Sequence, residues 1–129
     1  MAVALLAVGA AVTLYQNSSL LAQAQSDPYG SVSAERRFTT ALSHIPKDVP
    51  LAYISDLEIG PKAGTTAFLC AQYAVAPHLL IPVAQGAHYE WAVGNFARET
   101  DYAAAGARAG YRLEFDAGSG AIVYRRSAP

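Results

Sequence analysis

The chain has 129 residues, 53% of them hydrophobic and 15% charged, and nine basic against ten acidic side chains leave a net charge of -1. A balance so close to neutral offers no broad electrostatic attraction to nucleic acid, so none is expected as a partner. The single cysteine, Cys70, rules out an internal disulfide, and self-contained thioether haem or iron-sulfur sites need more cysteines than that.

The apolar excess lies at the start of the chain. No charged side chain occurs before Asp27, and residues 1–15 read MAVALLAVGAAVTLY. Fifteen helical residues cover about 22 Å, short of a hydrocarbon core of about 30 Å. The uncharged Gln16, Asn17, Ser18 and Ser19 are followed by Leu20, Leu21 and Ala22. A helix over residues 1–24 therefore reaches across, and a single-pass signal-anchor in a lipid bilayer is expected. The rival is a cleaved signal peptide: Ala22-Gln23-Ala24 has the small-x-small form of a cleavage site, but the stretch lacks the basic residues that open such a peptide. Arg36 and Arg37 favour a cytoplasmic domain by the positive-inside rule. The signal-like apolar run and the cleavage-like triplet favour export, and an exoplasmic (periplasmic) domain is the expectation.

Helical spacing gives the anchor two unlike stripes. Ala2, Gly9, Thr13, Gln16, Leu20 and Gln23 share one, and the bulkier Leu5, Val8, Val12 and Tyr15 form the other. Gly9 and Thr13 admit close approach of a second helix, and a Gln16 amide is better placed against a hydrogen-bonding partner than against lipid. Gly9, Thr13 and Gln16 are thus candidate contacts to another membrane protein subunit.

Residues 25–33 (QSDPYGSVS) collect turn formers and read as a linker, leaving residues 34–129 as one small domain. Ser33 is a candidate cap for a helix to about residue 43, with Ala34, Phe38, Ala41 and Leu42 inward, and Pro46 ends it. Residues 51–55 form a short strand, and Gly60-Pro61 with Gly64 makes a loop. The next helix, residues 65–75, is apolar nearly all round and is expected to be largely buried. Residues 78–83 (HLLIPV) read as a second strand with an edge-type Pro82, completing a right-handed βαβ unit. A third strand over residues 89–93 is closed by Gly94-Asn95. An alanine-rich helix over residues 99–108 is ended by Gly110. Residues 111–116 and 121–125 flank Ala-Gly-Ser-Gly as a terminal hairpin. The predicted class is α/β: one N-terminal transmembrane helix plus a mixed sheet of about five strands flanked by helices, with the hairpin at one edge.

Few residues suggest chemistry. His88 and Glu90 would share a strand face, with His78 as a third metal candidate, but the companion ligands of zinc sites are missing, so no metal is expected. Cys70 lies mid-helix between Leu69 and Ala71, the setting of a small buried hydrophobe more than of a nucleophile. Gly118-Ser119-Gly120 is a turn and lacks the G-x-S-x-G spacing, and no glycine-rich phosphate motif is present. Fold analogy places any ligand crevice beyond the strand carboxyl ends, at Asp56, Glu58, Gly94 and Asn95; for the two acids a solvated loop is the ordinary reading. Tyr53, Phe68, Tyr73, Tyr89, Trp91, Phe96 and Tyr111 are spaced for core packing, and Arg125 and Arg126 read as a solvated terminus.

The segments AFLCAQYAVAP, AVGNF and LEFDAGSGAIVYRR resemble a recurring arrangement in uncharacterised bacterial membrane-associated domains. These carry a helix with AQYxxAP, a strand ending in VGNF and a terminal hairpin ending in a basic pair. The likeness covers residues 49–126. It implies the α/β fold and a membrane setting, brings no assigned activity, and transfers no catalytic residue. The expectation is a non-catalytic accessory subunit of a larger membrane complex, in a bioenergetic assembly such as a photosynthetic reaction centre or respiratory complex, with no cofactor of its own. A membrane-tethered ligand-binding domain is the alternative, and a small anchored enzyme the third.

Overall fold

The computed structural model describes Asp27 and residues 30–128. The expected anchor, with Gly9, Thr13 and Gln16, lies outside the described residues, among which no helix is long and apolar enough to cross a membrane. The elements are α1 (Ser31–Leu42), β1 (Leu51–Ser55), α2 (Lys62–Ala74), β2 (Leu80–Pro82), a 3-10 turn (Val83–Gln85), β3 (Trp91–Asn95), α3 (Tyr102–Arg108), β4 (Tyr111–Asp116) and β5 (Ala121–Arg126). They build the expected mixed sheet of five strands, in the order β2-β1-β3-β5-β4. β1 pairs in parallel with both β2 and β3, while β5 runs antiparallel to both β3 and β4.

The strand sequences explain the layering. Side chains alternate across a sheet, and a central strand covered on both faces must be apolar at every position. Leu51 and Tyr53 of β1, Val93 of β3 and Ala121 and Val123 of β5 join Phe38 and Ala41 of α1 and Ala71 and Ala74 of α2 in one core. Ala52, Ile54, Ala92, Ile122 and Tyr124 point the other way, onto Ala105 of α3. Three helices thus sandwich the sheet, two on one face and one on the other. The Tyr124 hydroxyl ties the lower layer by donating to the Tyr102 carbonyl at 2.8 Å.

Several boundaries differ from expectation for local reasons. β2 is only three residues long, because Leu80 opens its pairing and Val83 enters the 3-10 turn. β3 runs through Gly94 and Asn95, which pair with Ile122 and Ala121 of β5 in place of turning. α3 starts at Tyr102, where the Asp101 side chain accepts the Ala104 N–H at 2.9 Å. α2 is not buried all round. It shares its sheet face with α1, so only one side is covered, and Leu69 and Tyr73 stay 58% and 63% exposed.

α1 begins two residues ahead of its expected cap. Gly30 takes a left-handed conformation, and the Asp27 carboxylate reaches forward to accept the N–H groups of Ser33 at 2.9 Å and Val32 at 3.1 Å. The Ser33 hydroxyl also donates to it at 2.9 Å. These bonds, that from the Ser33 backbone foremost, hold the Asp27 carboxyl below its ordinary value. A depressed folded pKa gives stability that is whole above the ordinary carboxylate range and is lost as pH falls through the folded value. Asp27→Ala should therefore lower the melting temperature at neutral pH and flatten its fall on acidification. Coincident pH profiles for wild type and variant would show that the cap contributes nothing, and parallel, offset ones that its contribution does not depend on the charge of Asp27.

Candidate functional site

The chain leaves β1 through α2 toward β2, whereas β3 lies on the other side of β1. Between the carboxyl ends of two such strands the connections part, and open α/β sheets leave a crevice there. Ser55 and Asn95 stand opposite each other at these ends. The Ser55 hydroxyl donates to the Asn95 carbonyl at 2.8 Å and accepts the Leu57 N–H at 3.1 Å, closing the strand into its loop.

Asn95 is 7% exposed and works as a hub. As the second residue after Val93 it faces the two-helix layer. Its amide nitrogen donates to the Tyr53 hydroxyl at 3.0 Å and to the Ala67 carbonyl of α2 at 3.2 Å. Its amide oxygen accepts from Nη2 of Arg37 on α1. One side chain thereby joins both helices to β1 and β3. Burial raises the Tyr53 phenol above its ordinary value, against the opposing pull of its hydrogen bonds and the Arg37 charge, so the ring stays neutral across the physiological range.

A cleft of about 640 Å³ opens over this hub, lined by Arg37, Lys62, Thr66, Leu57, Ala97 and Asn95 among others. Gly64 lets α2 form its wall, since a Cβ there would overlap the Glu58 carbonyl oxygen. Arg37 is half-buried, its Nε is wholly buried without a partner, and among the described residues no carboxylate lies within ion-pair distance. A second cleft of about 570 Å³ lies across the loop after β1, lined by Asp56, Glu58, Pro82 and Gln85. A shallower groove of about 300 Å³ runs over Ser31, Thr66, Leu69, Cys70 and Tyr73.

The residues singled out from sequence fall as follows. Asp56 and Glu58 do not act together. Asp56 fastens the loop after β3, accepting the N–H groups of Ala97 at 2.8 Å and Arg98 at 3.1 Å. His78 is buried and donates to the Val49 carbonyl at 2.9 Å. His88 and Glu90 precede β3 in irregular chain, and Glu90 pairs with Arg125 at 2.8 Å. Arg125 also lies over the Trp91 ring, and Arg126 donates to the His88 carbonyl, so the basic pair clasps the sheet end and is not a loose terminus. Among the described residues no group of three His, Cys, Asp or Glu could hold a metal. Cys70 is half-buried in the cleft wall, and burial raises its thiol pKa, which favours the less nucleophilic protonated form.

The quoted motifs carry structural duties. Gln72 of AQYxxAP clamps the entry to β2, donating to the His78 carbonyl and accepting the Leu80 N–H, both at 2.8 Å. Asn95 of VGNF is the hub. Arg37 was not legible as part of it, although it stands three residues after the inward Ala34 and beside Phe38, at the margin of the apolar stripe of α1. No family model matches this chain, nor does any curated protein or solved structure.

Proposed function

We propose that this chain is a non-catalytic accessory subunit, held in a bilayer by its N-terminal apolar segment and docked on a neighbouring membrane protein through the α1/α2 face. The observation behind this reading is the apolar surface on that face. Leu69 and Tyr73 stand one turn apart on α2 and are mostly exposed, and Val32 of α1 is 40% exposed. Exposed apolar side chains gathered on one face are the usual mark of an interaction surface. The face also belongs to the helix that follows the apolar segment, so a partner embedded beside that segment would meet it. Tyrosine suits this place, with an apolar ring and a wettable hydroxyl.

The test is purification of the full chain from native membranes in mild detergent. A stoichiometric complex is expected, retained by wild type and lost in the Leu69→Ser/Tyr73→Ser variant, with circular dichroism showing the domain folded in both proteins. Alkaline carbonate should leave the wild-type chain in the membrane fraction. A chain that purifies alone, or a variant that keeps its partner, would overturn the docking assignment; release by carbonate would overturn the anchor.

A further inference from the structure

The cleft over Asn95 supports an inference independent of the docking face. A guanidinium withdrawn from water is stabilised by acceptors on several of its five donors. Arg37 has one, the Asn95 amide oxygen. Its Nε is buried and unpartnered, and its Nη1 makes no hydrogen bond among the described residues. The Asp27 carboxylate ahead of α1 is already taken up by the first turn of the helix, and Glu35 of α1 is exposed and forms no ion pair with Arg37 among the described residues. Lys62 brings a second cation to the same cleft, and the three ion pairs among the described residues, Arg98–Asp56, Arg112–Glu114 and Arg125–Glu90, involve neither residue. Thr66 adds a hydroxyl, while Ala34, Leu57 and Ala97 make much of the remaining wall apolar.

Unneutralised positive charge in a partly dry, mainly apolar recess fits an anion with an apolar body. The volume of about 640 Å³ suits a small molecule. The fork of a guanidinium matches the oxygens of phosphate or carboxylate better than any other side chain does. We infer that this cleft binds a small organic oxyanion, its charged head on Arg37 and Lys62 and its apolar part against the alanine and leucine wall. The same head group is offered by a soluble metabolite and by an anionic lipid, and the test separates the two.

The full chain is placed in phosphatidylcholine nanodiscs and titrated calorimetrically with hexyl phosphate, with hexanol as the uncharged control. Hexyl phosphate should bind saturably at one site, hexanol should not, and high salt should weaken the affinity. Arg37→Met should weaken binding on the order of tenfold, the loss of one charge-assisted contact. Lys62→Met, at an exposed position, should weaken it about threefold, with circular dichroism as the folding control. Doping the discs with phosphatidic acid identifies the source. Competition with hexyl phosphate assigns the site to a lipid head group, and undisturbed binding assigns it to a soluble anion. Absence of saturable binding, equal binding of hexanol, or wild-type affinity in Lys62→Met would overturn the assignment, the last serving even if Arg37→Met fails to fold.

Discussion

Replacing Asn95 by Leu should destabilise the domain by about 3 kcal/mol, one of the two largest single-residue losses expected here. The side chains are similar in size, so the loss comes from hydrogen bonding and not from a cavity. Three groups lose their partner together: Nη2 of Arg37, the Tyr53 hydroxyl and the Ala67 carbonyl. The first is charged and half-buried, and its Nε already lacks a partner. For a domain of this size the change corresponds to a fall in Tm of roughly 12–20 °C. Adding Arg37→Met to Asn95→Leu removes the stranded charge and should recover part of the loss, which a double-mutant cycle reads as coupling. A fall in Tm below roughly 5 °C for Asn95→Leu would show that water replaces the amide without cost.

The second large effect belongs to Gly120, which closes the β4/β5 turn. Its φ is +74°, and a Cβ there would overlap the carbonyl oxygen of Phe96. The Phe96 N–H donates to the Gly120 carbonyl at 2.9 Å, so the two backbones cannot separate without breaking that bond. Gly120→Ala should therefore cost about 3 kcal/mol or more, combining left-handed strain with overpacking. Gly118 is the internal control. Its φ is +84° with open space around the position of a Cβ, so Gly118→Ala should cost only about 1 kcal/mol of strain. Chemical denaturation of both variants gives the comparison, and equal losses would mean that the contact with Phe96 relaxes freely.

Much of this architecture was readable from pattern, and the exceptions have physical causes. Continuous apolar runs at residues 51–54 and 121–124 belong to strands covered on both faces, and the Ala-Gly-Ser-Gly hairpin sits where its turn residues put it. Gly94-Asn95 misled because the pair is a local turn signal, yet here the missing Cβ makes room for the Phe96 and Tyr124 rings and the amide bridges four elements. Local propensity says nothing of such distant partners. The strand-end rule did mark Asn95 but placed it with Asp56 and Glu58, when its partners are Arg37 and Tyr53, residues far apart in sequence. Asp27 read as linker because its bonds run forward across Gly30 to the helix. Leu69 and Tyr73 read as core because helical apolarity measures what could be buried, whereas the width of the sheet face decides what is.

The two outer strands bear on how copies of this chain meet. A sheet is extended by another molecule only where its margin presents a long, flat row of unpaired backbone groups. β2 offers three residues, and its last, Pro82, has no N–H. β4 at the opposite margin is irregular between Leu113 and Phe115, with Arg112 and Glu114 exposed. Among the described residues neither margin presents such a row, which disfavours edge-to-edge pairing of the sheets of neighbouring molecules. Contacts made by the described domain then fall to side chains such as Leu69 and Tyr73 on the helical layer, which can part without breaking the sheet.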